Sequence, residues 1–145
     1  MTTYYARSFK DLRVYQKARD VSRAVFKLSK TFPKEEMDSL TGQMRRAARP
    51  VGAQVAEAWG KRRYEKHFVS KLTDADAEQM ETQHWVSEAL DCGYMCAADA
   101  TQLNSGLEEI GGMLNSMMEK ADSFCGSPGG ILREDATEYF TAARD

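Results

Sequence analysis

The sequence predicts an all-α fold, an antiparallel up-down-up-down four-helix bundle, and three observations carry that expectation. Apolar residues recur at steps of three and four along most of the chain, which is helical spacing, and no run alternates in the two-residue rhythm of a half-buried strand. Glycine and proline are sparse before residue 93, so little interrupts those periodic runs. The stretches between them are short, which sets consecutive helices side by side in opposite directions.

The first helix is expected over about residues 11–31, with Val14, Ala18, Val21, Val25 and Leu28 on one face. Asp11 is placed to cap it, and Thr31-Phe32-Pro33 ends it because a residue before proline avoids the helical region. The second starts between Lys34 and Asp38 and runs to about Gly60, burying Leu40, Met44, Ala47, Val51, Val55 and Ala58. Pro50 falls inside it and removes the amide that would bond the Arg46 carbonyl. A bend is expected there, with Pro50 on the polar, convex side. The third, about 65–92, aligns Phe68, Leu72, Ala75, Val86 and Leu90, and Gly93 is the natural residue to end it. Gln79 and Thr82 interrupt that line. As polar groups on a core seam they need partners, and they fix helix alignment or face an oligomer interface. The fourth helix, about 99–122, buries Leu103, Leu107, Ile110, Leu114, Met117 and Ala121 despite Gly106, Gly111 and Gly112, which close helix approach would explain. One domain is expected over residues 1–125. After it, residues 126–130 form a linker, and the remaining tail to residue 145 reads as a short helix, frayed or docked on a partner.

A chain of 145 residues with 42% hydrophobic side chains has enough material for one core. Its mean hydropathy is -0.58 and no apolar run approaches the roughly 18 residues needed to cross a bilayer. The first residues offer no export segment, so the expected setting is the cytoplasm, away from membranes. Three cysteines, Cys92, Cys96 and Cys125, are an odd number and are expected to be reduced. The formal net charge is -2, which excludes a generic polyanion binder, but the charge is segregated. Residues 43–63 hold Arg45, Arg46, Arg49, Lys61, Arg62 and Arg63 against Glu57 alone. Residues 74–91 hold Asp74, Asp76, Glu78, Glu81, Glu88 and Asp91 with no lysine or arginine.

The basic stretch is the candidate nucleic-acid site. Measured from Arg45, Arg49 lies about 40° and Arg46 about 100° around the helix, opposite the arc that holds the apolar residues. A solvated helix face has the same pattern. The binding reading adds that arginine holds phosphates bidentately, and that Lys61-Arg62-Arg63 sit beside Trp59 and Tyr64, aromatic rings of the kind that stack unpaired bases. A second candidate is Glu81-Thr82-Gln83-His84, which has the Glu-x-x-His spacing of di-metal carboxylate bundles. Such a site needs two motifs and two further glutamates, yet the other histidine, His67, follows Tyr64. Glu81 and His84 also project away from the apolar line, as part of an acidic solvated face. Cys92 and Cys96 supply two thiols where zinc needs four ligands, so buried small residues is the reading preferred for them. No phosphate loop or nucleophile motif is present. No enzyme chemistry, cofactor or metal is expected.

Taken together, the motifs resemble a known family. Phe9-Lys10-Asp11-Leu12 with Tyr15-Gln16 and Ala18, Phe32-Pro33-x-Glu35-Glu36, and Leu40-x-x-Gln43-Met44-Arg45-Arg46-Ala47-Ala48 are similar to the bacterial four helix bundle proteins. These were first met as reading frames inside intervening sequences of large-subunit ribosomal RNA genes and are sometimes labelled a ribosomal protein. The resemblance continues through Ala56-Glu57-x-Trp59-Gly60-Lys61-Arg62-Arg63, Glu81-Thr82-Gln83-x-Trp85, Asp91-Cys92-Gly93-Tyr94 and Met113-Leu114-Asn115-Ser116-Met117, covering about residues 9–122. Two departures stand out. Pro50-Val51-Gly52-Ala53-Gln54 replaces a Ser-Ile-Pro-x-Asn run, and Ala58 replaces a glycine. The resemblance implies a homo-oligomeric ring, often a pentamer, with no established catalysis. A more distant related bundle is the accessory subunit of diversity-generating retroelements, which engages nucleic acid and a reverse transcriptase. Five copies of one basic cluster in a ring would let a weakly acidic subunit hold RNA or DNA. The rival expectation is an adaptor that binds another protein through the acidic third helix or the C-terminal tail.

Overall fold

In the computed structural model, which describes residues 3–125 and 132–135, four long helices account for most of the chain. They are α1 (Arg13–Ser29), α2 (Leu40–Gly60), α3 (Glu65–Asp91) and α4 (Ala97–Glu119). A short strand β1 (Thr3–Ala6) precedes them, and a single turn α5 (Ala121–Phe124) and a strand β2 (Leu132–Asp135) follow.

The buried positions step by four and three. α1 buries Val14, Ala18, Val21 and Val25, and α4 buries Leu103, Leu107, Ile110, Leu114 and Met117. In α3 the series is unbroken from Phe68 through Leu72, Ala75, Gln79, Thr82 and Val86 to Ala89. That average of 3.5 residues is the repeat of helices wound gently around one another, their side chains interdigitating along the seam. Leu90, expected inside, is 38% exposed, and Ala89 takes its place. A 3.6-residue projection drifts about 20° per heptad from this seam, enough over three heptads to select the wrong neighbour. Leu28 is half-buried and Ser29 closes the α1 face instead.

Gln79 and Thr82 face the core and find partners within their own helix. The Gln79 amide donates to Asp76 Oδ1 at 2.8 Å and accepts from Gln83 Nε2 at 2.7 Å, while Thr82 donates to the Glu78 carbonyl at 2.8 Å. The Gln79 amide sits against α4 at Gly111, where a Cβ would lie 2.9 Å from Nε2, and a Cβ on Gly106 would lie 3.0 Å from Val21 Cγ2 of α1. Close approach therefore explains two of the three α4 glycines. Gly112 has nothing within 4 Å of an added Cβ, so packing does not require it.

Contacts fix the directions. Arg45 of α2 reaches Ser29 at the end of α1, and Gly52 lies against Tyr15 near its start, so the two run oppositely. Gln79 beside Gly111 and Thr73 beside Met118 do the same for α3 and α4. Lys17 paired with Glu109 at 3.3 Å and Val21 beside Gly106 close the ring between α1 and α4.

Local sequence sets the ends. Asp11 does not cap α1. Its carboxylate accepts from the amides of Arg7 and Ser8, and with Ser8 it forms a reciprocal cap around the 3₁₀ turn Phe9–Asp11. α3 ends where Gly93 adopts φ 76, with the Gly93 amide on Leu90 O and the Tyr94 amide on Ala89 O, the paired bonds of a Schellman turn. Pro50 lies half-buried within α2. α4 starts two residues earlier than expected, at Ala97, and stops at Glu119, before α5.

Two expectations are corrected at the margins of the bundle. Cys92 and Cys96 are exposed, because they occupy the end of α3 and the residue before α4, off the packed seam. The tail is not helical at Leu132–Asp135. These residues pair antiparallel with β1, Thr3 opposite Asp135 through Ala6 opposite Leu132. A backbone partner so distant in sequence leaves no local trace, so reading the tail alone favours the wrong element. The linker 126–130 and the rest of the tail lie outside the described residues. Among the described residues, no helix is long and apolar enough to cross a membrane.

Candidate nucleic-acid interface

α2 presents Arg45, Arg46 and Arg49 on the face opposite its buried residues, with Arg46 and Arg49 exposed and Arg45 half-buried. What organises two of them is a side chain from the neighbouring helix. Phe26 of α1 is 36% exposed, and its ring centre lies 4.7 Å from the Arg45 guanidinium carbon, 5.4 Å from that of Arg49 and 4.8 Å from Lys30 Nζ. The ring's negative face attracts each cation and holds them together against their mutual repulsion. Arg45 is fixed further by donating Nε to Ser29 Oγ at 2.8 Å. Arg46 folds back over the start of α2, its guanidinium 3.0 Å from the position of a Cβ on Gly42. Among the described residues, no carboxylate pairs with Lys30, Arg45, Arg46 or Arg49.

Lys61, Arg62 and Arg63 form a separate cluster in the α2–α3 turn, about 18 Å beyond Arg49 at 1.5 Å per residue. The six residues are therefore not one patch. Arg62 is committed within the fold, its guanidinium stacked 3.7 Å from the Trp59 ring and its Nε donating to Trp59 O at 2.8 Å. Burial against that ring pulls its pKa below the usual arginine value. Trp59 is thus covered, and the open ring here is Tyr64, 59% exposed, beside the exposed Lys61 and Arg63.

The other candidates separate. Glu81 accepts from the Trp85 indole at 3.0 Å, while the exposed His84 stands 3.8 Å from Glu88, so the two do not converge on a common point. Among the described residues, no group of three His, Cys, Asp or Glu is placed to hold a metal. The acidic face of α3 is relieved at one end, where Lys71 lies 3.7 Å from Glu57 and 3.9 Å from Asp74. At Glu78 burial first, then the charges of Glu81 and Asp74, push the carboxyl above its ordinary value. Met80, 57% exposed, and Leu90 lie on the same helix.

Sequence reading missed Phe26 and Lys30. The signal was present: Arg19, Arg23, Phe26 and Lys30 step by four, three and four, one stripe of α1. It gains meaning once α1 and α2 are side by side.

The fold and this surface define a class, a four-helix bundle whose notable chemistry is a cationic face with an aromatic ring at its centre. The chain belongs to the 23S rRNA-intervening sequence protein family, which it matches over residues 10–116. It is also similar to a solved structure from Bacteroides thetaiotaomicron, described as a protein with unknown function from the S23 ribosomal protein family. The TM-score is 0.66 at 23% identity, over 73% of this chain and 95% of that one, a likeness that shows the fold alone. No curated protein matches the sequence.

Proposed function

We propose that this chain is a non-enzymatic, homo-oligomeric RNA-binding protein that engages the phosphate backbone through the α1–α2 face. The observation that carries this is the set of three cations around Phe26, held close together with no carboxylate among the described residues to neutralise them. Clustering like charges costs energy in a free monomer, and an incoming polyanion relieves it while releasing counterions. The family is named for an intervening sequence of 23S rRNA, and on that name RNA rather than DNA is taken as the polyanion. A ring assembly, the pentamer that the sequence resemblance implies, would repeat the cluster and offset the net charge of -2. The test is fluorescence anisotropy with labelled single-stranded RNA, and duplex DNA as the second arm. Joint Arg45→Gln, Arg46→Gln and Arg49→Gln replacement is expected to weaken RNA binding about tenfold or more. Unchanged affinity would overturn the proposal.

A second reading has its own observation. Met80 and Leu90 are exposed on α3, the helix that also carries Asp74, Glu78, Glu81, Glu88 and Asp91. Exposed apolar side chains on an acidic helix suit a protein contact with a basic partner, either another copy of this chain or a protein it serves as an adaptor or accessory subunit. Met80→Glu followed by light scattering separates these: a drop in mass indicates contact between copies.

A further inference from the structure

The cationic stripe of α1 and the small residues of α2 enclose a groove of about 380 Å³ that the surface reading does not use. Its floor is Gly52 and Ala53. A Cβ on Gly52 would already stand 3.6 Å from Tyr15 Cε1, so a longer side chain there would fill the space. One end is aromatic, Phe9 and Tyr15 meeting edge to face with ring centres 4.9 Å apart at 81°. The other part carries Arg19, Arg23 and Arg49. Arg19 lies 3.5 Å from the Tyr15 hydroxyl, joining the two ends. Arg23 pairs with Asp20 at 3.0 Å, but both side chains are more than 60% exposed, so water screens that pair and it yields readily to a stronger anion. Among the described residues, no carboxylate pairs with Arg19 or Arg49.

We infer that this groove is a binding site for one nucleotide unit, its phosphate held by Arg19, Arg23 and Arg49 and its base set against Phe9 and Tyr15. Three guanidiniums exceed what a singly charged carboxylate requires and match the several oxygens of a phosphate, which arginine grips in bidentate fashion. A planar ring complements the aromatic end, since every base offers a face for stacking. The volume lies within the range of roughly 300–1,000 Å³ typical of small-ligand pockets. The same chemistry has two sources, a free mononucleotide and a nucleotide of an RNA strand. The inference deepens the RNA reading, because Arg49 borders both the groove and the Phe26 cluster.

The experiment titrates the whole protein with AMP, adenosine and inorganic phosphate by calorimetry, and separately with single-stranded RNA. Three variants leave the bundle's core untouched: Arg19→Gln, Arg23→Gln and Ala53→Leu. The last replaces an exposed groove residue and blocks the space without removing a charge. AMP is expected to bind more tightly than adenosine or phosphate alone, and each variant to weaken it about tenfold. RNA affinity that falls in parallel assigns the groove to the strand, whereas RNA affinity untouched by these variants assigns it to the free nucleotide. If AMP does not bind and Ala53→Leu leaves RNA binding intact, the groove inference fails while the surface proposal stands. If AMP binds and RNA does not, the surface proposal fails and the groove remains.

Discussion

The Tyr94 hydroxyl donates to Glu36 Oε2 across 2.8 Å, joining the α3–α4 connection to the α1–α2 connection at one end of the bundle. The Tyr94 ring also rests on Phe32, with centres 5.5 Å apart. Donation to the Glu36 carboxylate, with some burial, pushes the Tyr94 pKa up to about 12 from 10.0. Bonds from Ser39 and then Tyr94 hold the Glu36 pKa below its ordinary 4.5. A raised tyrosine pKa contributes stability that is complete below pH 10 and is lost as pH climbs through about 12. A lowered carboxylate pKa contributes above pH 4.5 and is lost as pH falls below it. Tyr94→Phe should therefore lower the melting temperature at neutral pH. The gap between wild type and variant should close toward both extremes, as scanning calorimetry across pH would register.

Arg62 and the α2 arginines should respond differently to the same substitution. Arg62→Gln removes a stack on Trp59 and a backbone hydrogen bond, and is expected to cost about 1 kcal/mol of stability. Its effect on RNA affinity should be small beside that of the Arg45, Arg46 and Arg49 replacements. Urea melts and anisotropy on the same preparations check both halves.

Two adjacent glycines give opposite expectations. Gly111→Ala drives a methyl into the buried Gln79 amide, which is tied to Asp76 and Gln83 and cannot move freely. The cost is expected at about 1–3 kcal/mol. Gly112→Ala meets open space and should stabilise the helix by about 0.5–1 kcal/mol. Urea midpoints at a constant slope decide the signs.

The thiols should divide into two rates. Cys92 and Cys96 are exposed, whereas burial first, and then the Glu65 charge, raise the pKa of the half-buried Cys125. A disulfide reagent at mildly alkaline pH is expected to modify two thiols quickly and the third slowly, since the thiolate is the reactive form.

Much of the architecture was legible in the sequence because helix packing leaves a periodic trace. Val14, Val25, Met44, Val55, Phe68, Leu107 and Leu114 were all placed inside by spacing alone, and all are buried. Misreadings fell where non-local geometry decides. Leu90 and Ala89 exchanged roles because the bundle follows a 3.5-residue seam, and Cys92 and Cys96 left the interior because a connection, rather than a helix face, positions them. The strand at Leu132–Asp135 depends on residues at the other end of the chain. In the candidate interface, Arg45 and Arg49 were found by composition. Phe26, Lys30, Arg19 and Arg23 were not, since a cluster shared by two helices exists only after they pack.

The most direct measurement is the salt dependence of RNA binding by wild type and by the joint Arg45, Arg46 and Arg49 variant. Each phosphate contact on a single strand adds about 0.7 to the slope of log affinity against log salt. The wild-type slope is expected to exceed that of the variant by about 2, three contacts' worth. Equal slopes would contradict the claim that these arginines meet phosphate, as would binding that salt does not weaken.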